Sequence, residues 1–483
     1  MNNTFSIILC ALFLYTIRSD AFSNEAPSFV QEGMSYSVSS VQPDSSNSSN
    51  NTIKTHRKQQ VPFETTSTAA AEVTLSDGLT LINTDPNNEV YYVDAIIDSE
   101  IYPLMIDTGS PYLWIYNGNC TDSSCLNKQL YNGSQSHTYA TQTFELSYST
   151  GSASGIVTSN NITLAGLTLK NFQFGAASEV PDIFSVYNFS GVLGLPNSNQ
   201  ASSSMLNPAE GFKIQGTTNA SKFALCLGEY NSTYTNAGII GFGADFEQLH
   251  DGQLYYSQAI SNAGAHWETL INNIYVNDAQ VEFDSVQVNG ANSTIQRMAL
   301  LDSGTTAIVS SSNDATKLHS LFPGALTDGS DYAILCNSTS LIKLNIGGQN
   351  WTLSPTEYLG KKYADDSKYA GYCASNIQGM EGFDDGTWVL GAIFLKTVYV
   401  EFNIDESTIG IANRSSGIKL VASNTSSSDY YGTFSQSSIL NSSSKTNKSS
   451  SASSSSSASG FNIHHSSPSL YTLLFVVLSL LLQ

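Results

Sequence analysis

Between about Val73 and Leu420 the apolar residues fall in short runs rather than along helical stripes. Residues 89–97, 101–106, 170–174, 341–346 and 397–402 are rich in Val, Ile, Tyr, Phe and Thr, and Gly, Asn and Asp punctuate the chain between them. Long amphipathic helical stretches are scarce, so the pattern predicts an all-β fold. The order of segments also repeats. A strand pattern runs into Asp107-Thr108-Gly109-Ser110, and after further strand patterns comes Gly191-Val192-Leu193-Gly194-Leu195. A second strand pattern runs into Asp302-Ser303-Gly304-Thr305-Thr306, followed later by Trp388-Val389-Leu390-Gly391-Ala392. This predicts a duplicated β lobe with a cleft between the copies, an N-lobe over about 73–250 and a C-lobe over about 251–420.

The ends follow a different pattern. Residues 5–17 are apolar and precede Arg18-Ser19-Asp20-Ala21, which reads as a signal peptide over 1–21. The alternative is a buried strand or helix of the mature fold. Residues 22–58 are polar and close on Lys54-Thr55-His56-Arg57-Lys58, either a propeptide or a plain disordered leader. The catalytic region would then span 59–422. Residues 423–459 are Ser-rich and bury too little to fold, as in a glycosylated stalk. From 460 to 483 the tail is apolar almost to its end and shorter than the roughly 20 residues a spanning helix needs. Small residues Ser457-Ala458-Ser459-Gly460 precede it, so the pattern predicts removal of the tail and attachment of a glycolipid (GPI) anchor within Ser457–Gly460. A tail-anchored helix is the alternative. Sequons at Asn132, Asn161, Asn188, Asn231, Asn292, Asn337 and Asn413 fit an extracellular glycoprotein at the plasma membrane or cell wall.

The chain of 483 residues is long enough for two domain-sized cores. Its formal charge of -21 disfavours nucleic acid as a partner, because phosphate binding needs a basic surface. Cys10 lies in the leading apolar run. Close spacing points to a Cys120–Cys125 bridge, and Cys336 with Cys373 would close a longer loop. Cys226 then remains as a buried thiol in an apolar strand. Neither His nor Cys residues cluster as zinc ligands, and no Gly-x-Ser-x-Gly elbow occurs. No cofactor is expected.

The repeated Asp is the chemistry-bearing feature. Two carboxyls held about 3 Å apart cannot both ionise, so they share a proton. One activates a water while the other protonates a carbonyl oxygen, which suits peptide-bond hydrolysis without metal. Gly109 and Gly304 allow close approach of the two loops, and Ser110 and Thr305 can hold the outer carboxylate oxygens. One Asp-Thr-Gly alone is an ordinary turn sequence. Two of them in matched positions carry more.

With these residues the chain resembles the pepsin family of aspartic proteases, nearest to fungal GPI-anchored yapsins and Candida-type secreted proteases. The resemblance rests on both Asp motifs, on Leu113-Trp114 after the first, on Tyr148-Ser149-Thr150-Gly151-Ser152-Ala153-Ser154-Gly155 as a flap hairpin, and on the cysteine spacing. It implies a bilobal pepsin-like fold, a catalytic pair Asp107 and Asp302, and bonds from Thr108 and Ser303 across to the opposite loop. It also implies that Tyr148 closes on the substrate with its hydroxyl near the Trp114 indole, with Thr150 beside it and Gly151 and Gly155 letting the hairpin bend. Ile183, Phe189 and Val192 would line an apolar primary pocket. Yapsins favour basic residues, for which Asp182 and Glu145 are the nearest acids, so the resemblance implies broad specificity on protein or peptide substrates. A monomer at the cell surface, working in acid, is expected. Ala392 stands where the family often carries Asp, and the family's middle disulfide has no cysteines here. The competing reading is an inactive glycoprotein that keeps the fold for binding or adhesion.

Overall fold

The computed structural model describes residues 77–415, apart from 127, 134–141, 149–150, 198–204, 230–236, 262–264 and 328–330. Outside that span it describes only the short backbone segments Phe13–Thr16, Gln59–Gln60, Thr74–Leu75 and Leu473–Val476. The expected leader cleavage sites, stalk and anchor window lie outside the described residues, as does Thr150.

Strand Tyr91–Ile97 shows how composition sets the first sheet. Tyr91, Val93, Ala95 and Ile97 are buried and the residues between them are half-buried, the period of two that a strand imposes. It turns through Asp98 and Ser99, both at positive φ (52 and 68°), into Glu100–Asp107. Such a two-residue primed turn matches the twist of the paired strands. Strand Glu100–Asp107 loses the alternation and is buried from Tyr102 onward, because it lies inside the sheet and is covered on both faces.

An eight-stranded sheet forms around it, and its middle is unusual. Gly191–Gly194 runs parallel to Glu100–Asp107 on one side, with Gly194 opposite Asp107, and antiparallel to Trp114–Tyr116 on the other. The edge strand Asn83–Thr84, the long hairpin Gly151–Leu164 and Leu167–Glu179, and the strand Thr143–Tyr148 complete the sheet. The second half repeats the arrangement. Thr387–Leu390 runs parallel to Arg297–Leu301, with Leu390 opposite Leu301, and antiparallel to Ile308–Ser311. The expected all-β, two-lobed architecture is therefore observed.

A six-stranded sheet joins the halves. Its order is His250–Gln258, Thr408–Arg414, Val398–Asn403, Lys222–Leu227, Gly238–Phe242 and Leu79–Leu81. Lys222–Leu227 from the first half thus lies directly against Val398–Asn403 from the end of the second. Phe223, Phe402 and Trp267 stack at this seam, and the Trp267 indole donates to Leu195 O (2.8 Å). Helices are few and short. Pro208–Ile214 starts on a capping box of Asn207 and Glu210 with Pro at its first position.

The predicted disulfides are both present, Cys120–Cys125 and Cys336–Cys373. Cys226 is a buried free thiol. Gly155 sits within a paired strand at a register shift, and a Cβ there would collide with Ala176 O. Its need is close approach of neighbouring strands. Gly151, at φ +142°, keeps the turn role.

Candidate active site

Each Asp ends a fully buried strand where the chain turns sharply out of its sheet. Asp107 and Asp302 are 0% exposed. The loops that carry them meet and interlock. Thr108 Oγ1 donates to Leu301 O (2.8 Å) and accepts from Ser303 N (2.9 Å). Ser303 Oγ donates to Ile106 O (2.9 Å) and accepts from Thr108 N (3.1 Å). These four reciprocal bonds cross between residues almost 200 positions apart and place the two carboxyls within hydrogen-bonding reach of each other. No side chain larger than hydrogen fits at Gly304, where a Cβ would stand 2.6 Å from the Asp107 carboxyl carbon.

The carboxyls are held in place by their own loops. Asp107 accepts from Gly109 N (2.9 Å), Ser110 N (3.0 Å) and Ser110 Oγ (2.6 Å). Asp302 accepts from Gly304 N (3.0 Å) and Thr305 Oγ1 (2.6 Å), while the Thr305 N–H turns to the Asp302 main-chain oxygen. Burial raises both carboxyls above the usual carboxylate range. Asp302 is raised well above it, because burial is joined by the charge of Asp107. Donors to each carboxyl oppose the burial effect. The arrangement therefore favours one proton shared by the pair.

Above Asp107 lies an aromatic wall. The Trp114 indole donates to the Tyr148 hydroxyl (2.9 Å), as expected. Burial and the nearby Asp107 charge raise the Tyr148 phenol, keeping it neutral. Ile183, Phe189 and Val192 are buried in the same cluster as Trp114 and Tyr148. Sequence reasoning missed Phe184. It stacks on Trp114 (6.1 Å), meets Tyr148 edge-on (5.6 Å) and touches Phe189 (5.1 Å). The 3-10 turn Asp182–Val186 buries both Ile183 and Phe184, and the sequence gives no sign that the Phe184 ring is the one that meets Trp114 and Tyr148. Lys128 was also missed. Its ammonium donates to Phe184 O (3.0 Å) and Tyr187 O, and burial lowers it to about 8. The acids considered from sequence both face solvent. Asp182 accepts from Ser123 Oγ (3.1 Å), and Glu145 is exposed on the flap strand.

Comparisons with known proteins agree on one class. The family described as eukaryotic aspartyl protease matches residues 97–414. An aspartic-type endopeptidase, ctsD, of Aspergillus fumigatus is 28% identical over 316 residues, covering 65% of this chain and 62% of the relative. A probable aspartic-type endopeptidase CTSD of Arthroderma otae is 28% identical over 315 residues, covering 65% and 78%. Gastricsin of Rattus norvegicus is 25% identical over 335 residues, covering 66% and 81%. The chain thus spans less than two thirds of the length of the Aspergillus relative.

Proposed function

This chain belongs to the eukaryotic aspartyl protease family, and from that premise we propose that it is an aspartic endopeptidase whose working groups are Asp107 and Asp302. The observation that carries the proposal is the interlocked pair of buried carboxyls, each fixed by its own loop hydroxyl. The ionised member takes a proton from a water that attacks the scissile carbonyl. The protonated member gives its proton to the carbonyl oxygen, so a neutral tetrahedral diol forms. On collapse the protons return: the diol hydroxyl gives one up and the leaving amine receives one, and the pair is restored. The apparent pKa values belong to the pair, so activity against pH is bell-shaped with an acidic optimum. Tyr148, Trp114 and Phe184 cover the site and exclude bulk water, which strengthens every charge interaction inside.

The test is cleavage of an unfolded protein near pH 4 after removal of the leader, blocked by pepstatin. Absence of any cleavage by the processed protein would turn the reading toward a binding glycoprotein.

The proposal extends to location. The leading apolar run, the Ser-rich segment and the apolar tail support a GPI-anchored protein at a cell surface, facing the medium. Release from intact cells by a phosphatidylinositol-specific phospholipase is the expected result. Retention after that treatment would favour a tail-anchored form.

A further inference from the structure

The apolar wall beside Tyr148 lies outside the strands. Residues 180–190 connect strand Leu167–Glu179 to strand Gly191–Gly194 and contain the 3-10 turn Asp182–Val186. Within this stretch Phe184 N donates to Pro181 O (3.1 Å) and Tyr187 N to Phe184 O (3.3 Å). Further ties come from the chain around the Cys120–Cys125 bridge. Asp122 Oδ2 accepts from Val180 N (3.3 Å), Ser124 Oγ donates to Pro181 O (2.9 Å), and Ser123 Oγ donates to Asp182 Oδ1 (3.1 Å). At the far end Gln129 N donates to Ser190 Oγ (2.9 Å). Lys128 works between these points. Its ammonium donates to Phe184 O (3.0 Å) and to Tyr187 O. It also lies 5.5 Å from the centre of the Phe189 ring and 5.9 Å from that of Tyr116.

We infer that Lys128 is a positioning residue for the peptidase reaction: it fixes the Phe184 and Phe189 rings that wall the primary pocket, and so sets how strongly a large apolar side chain is preferred at the cleaved bond. The inference rests on the peptidase reading above and adds a residue that acts on substrate choice only through the wall.

Three observations carry it. The first is what holds the ammonium: two main-chain oxygens and two rings, with no carboxylate among the described residues paired to it. A half-buried cation without a counter-charge loses hydration, and the bonds it makes to the wall are what offset that loss. The second is where those bonds fall. Phe184 lies inside the turn Asp182–Val186 and Tyr187 is the residue after it, so one ammonium spans the turn and its exit. A bond from a charged donor is roughly twice as strong as one between neutral groups, so both points are pinned. The third is what the pinned main chain carries. Phe184 stacks on Trp114 and meets Tyr148 edge-on, and Phe189 touches Phe184 and stacks on Tyr187 at 5.9 Å with the rings 12° apart. A shift of the turn therefore moves the rings nearest Tyr148. With its ammonium lowered by burial only to about 8, Lys128 stays charged through the acid range in which the Asp pair works.

The experiment compares the full processed parent with Lys128→Met, which keeps an unbranched apolar stem and removes the charge, at pH 4. One pair of peptides carries Phe or Ala on the amino side of the cleaved bond, and a second pair carries the same residues on its carboxyl side. The quantity read is the ratio of kcat/KM for Phe over Ala within each pair, in which titration of the Asp pair cancels. The expected result is an amino-side ratio that falls about tenfold in Lys128→Met, the scale of losing a hydrogen bond from a charged group, while the carboxyl-side ratio holds. Should Lys128→Met fail to fold, Lys128→Gln, whose amide can still donate to one of the two oxygens, is read by the same ratio. A parent ratio near one on the amino side overturns the inference. So does an amino-side ratio that the substitution leaves unchanged, or an equal fall in kcat/KM for every peptide, since either makes Lys128 a merely structural residue. All three leave the peptidase intact. Failure of the parent to cleave any of the peptides removes the peptidase reading and this inference with it.

Discussion

The two tryptophans nearest the Asp-bearing strands sit on different strands of the repeat and are held in opposite ways. Trp114 lies against the strand Gly191–Gly194, and Trp388 lies against Arg297–Leu301. The Trp114 indole donates to a phenol, Tyr148, on a separate hairpin. The Trp388 indole donates to Asp314 (2.9 Å), a carboxylate that also holds Arg297 through Nε (2.7 Å) and Nη2 (3.0 Å). Arg297 and Asp314 are 1% and 0% exposed, and the guanidinium also covers the Phe283 ring. The first half thus ends in one neutral bond that opens at small cost. The second half ends in a desolvated ion pair that cannot open without stranding a charge. On that difference the first half is expected to close on substrate and the second to stay fixed beneath it.

The largest effect tests where the halves remain equal. Asp107→Asn and Asp302→Asn should each lower kcat about 10⁴-fold or more while leaving the thermal midpoint near that of the parent. If either variant retained most of its hydrolysis, the shared proton would be the wrong description.

The next tests where they differ. Asp314→Asn leaves Arg297 buried without its counter-charge and should cost about 3–5 kcal/mol in denaturant unfolding. Tyr148→Phe removes the flap phenol and should cost stability about 1 kcal/mol or less. Equal costs would erase the distinction between a fixed and a closing half.

A third prediction concerns the second half and pH. Glu268 is 2% exposed, its Oε1 has no partner among the described residues, and burial lifts it from 4.5 to about 7. Between those values the folded chain binds more protons than the unfolded chain. Stability is therefore full below pH 4.5 and falls as pH rises through about 7, by about 3 kcal/mol for this group. Thermal midpoints measured from pH 4.5 to 7.5 should decline in the parent and decline less steeply in Glu268→Gln, because Glu89, Glu401 and Asp94 are raised over the same window. An unchanged slope would remove Glu268 from the account.

The smallest effect belongs to the flap. Trp114→Phe removes the indole donor and should lower kcat/KM about tenfold, with a cavity cost in stability because the ring is fully buried. An unchanged kcat/KM would separate the indole–phenol bond from catalysis.

What could be read from sequence was what recurs locally. Asp107, Asp302 and their loop hydroxyls sit at fixed offsets from each other, and those offsets became hydrogen bonds. Tyr148 stood out because Gly and Ser follow it, and its hydroxyl accepts from the Trp114 indole. What escaped was set by distance along the chain. Asp314 finds Trp388 across 74 residues, and Tyr187 finds Glu89 across 98, with no spacing rule linking them. Phe184 escaped for another reason: a single 3-10 turn buries it beside Ile183, and no spacing marks its ring as the one that meets Trp114.

The sheet joining the halves has a consequence for how the protein is made. Lys222–Leu227 is hydrogen-bonded to Val398–Asn403, so its edge stays open until the ribosome has delivered residues some 175 positions later. An emerging chain must wait with an apolar strand uncovered, which calls for protection during synthesis and slows the final closure. Truncation just before residue 398 would therefore leave the first half unable to mature, although both of its own catalytic-side loops had long been translated.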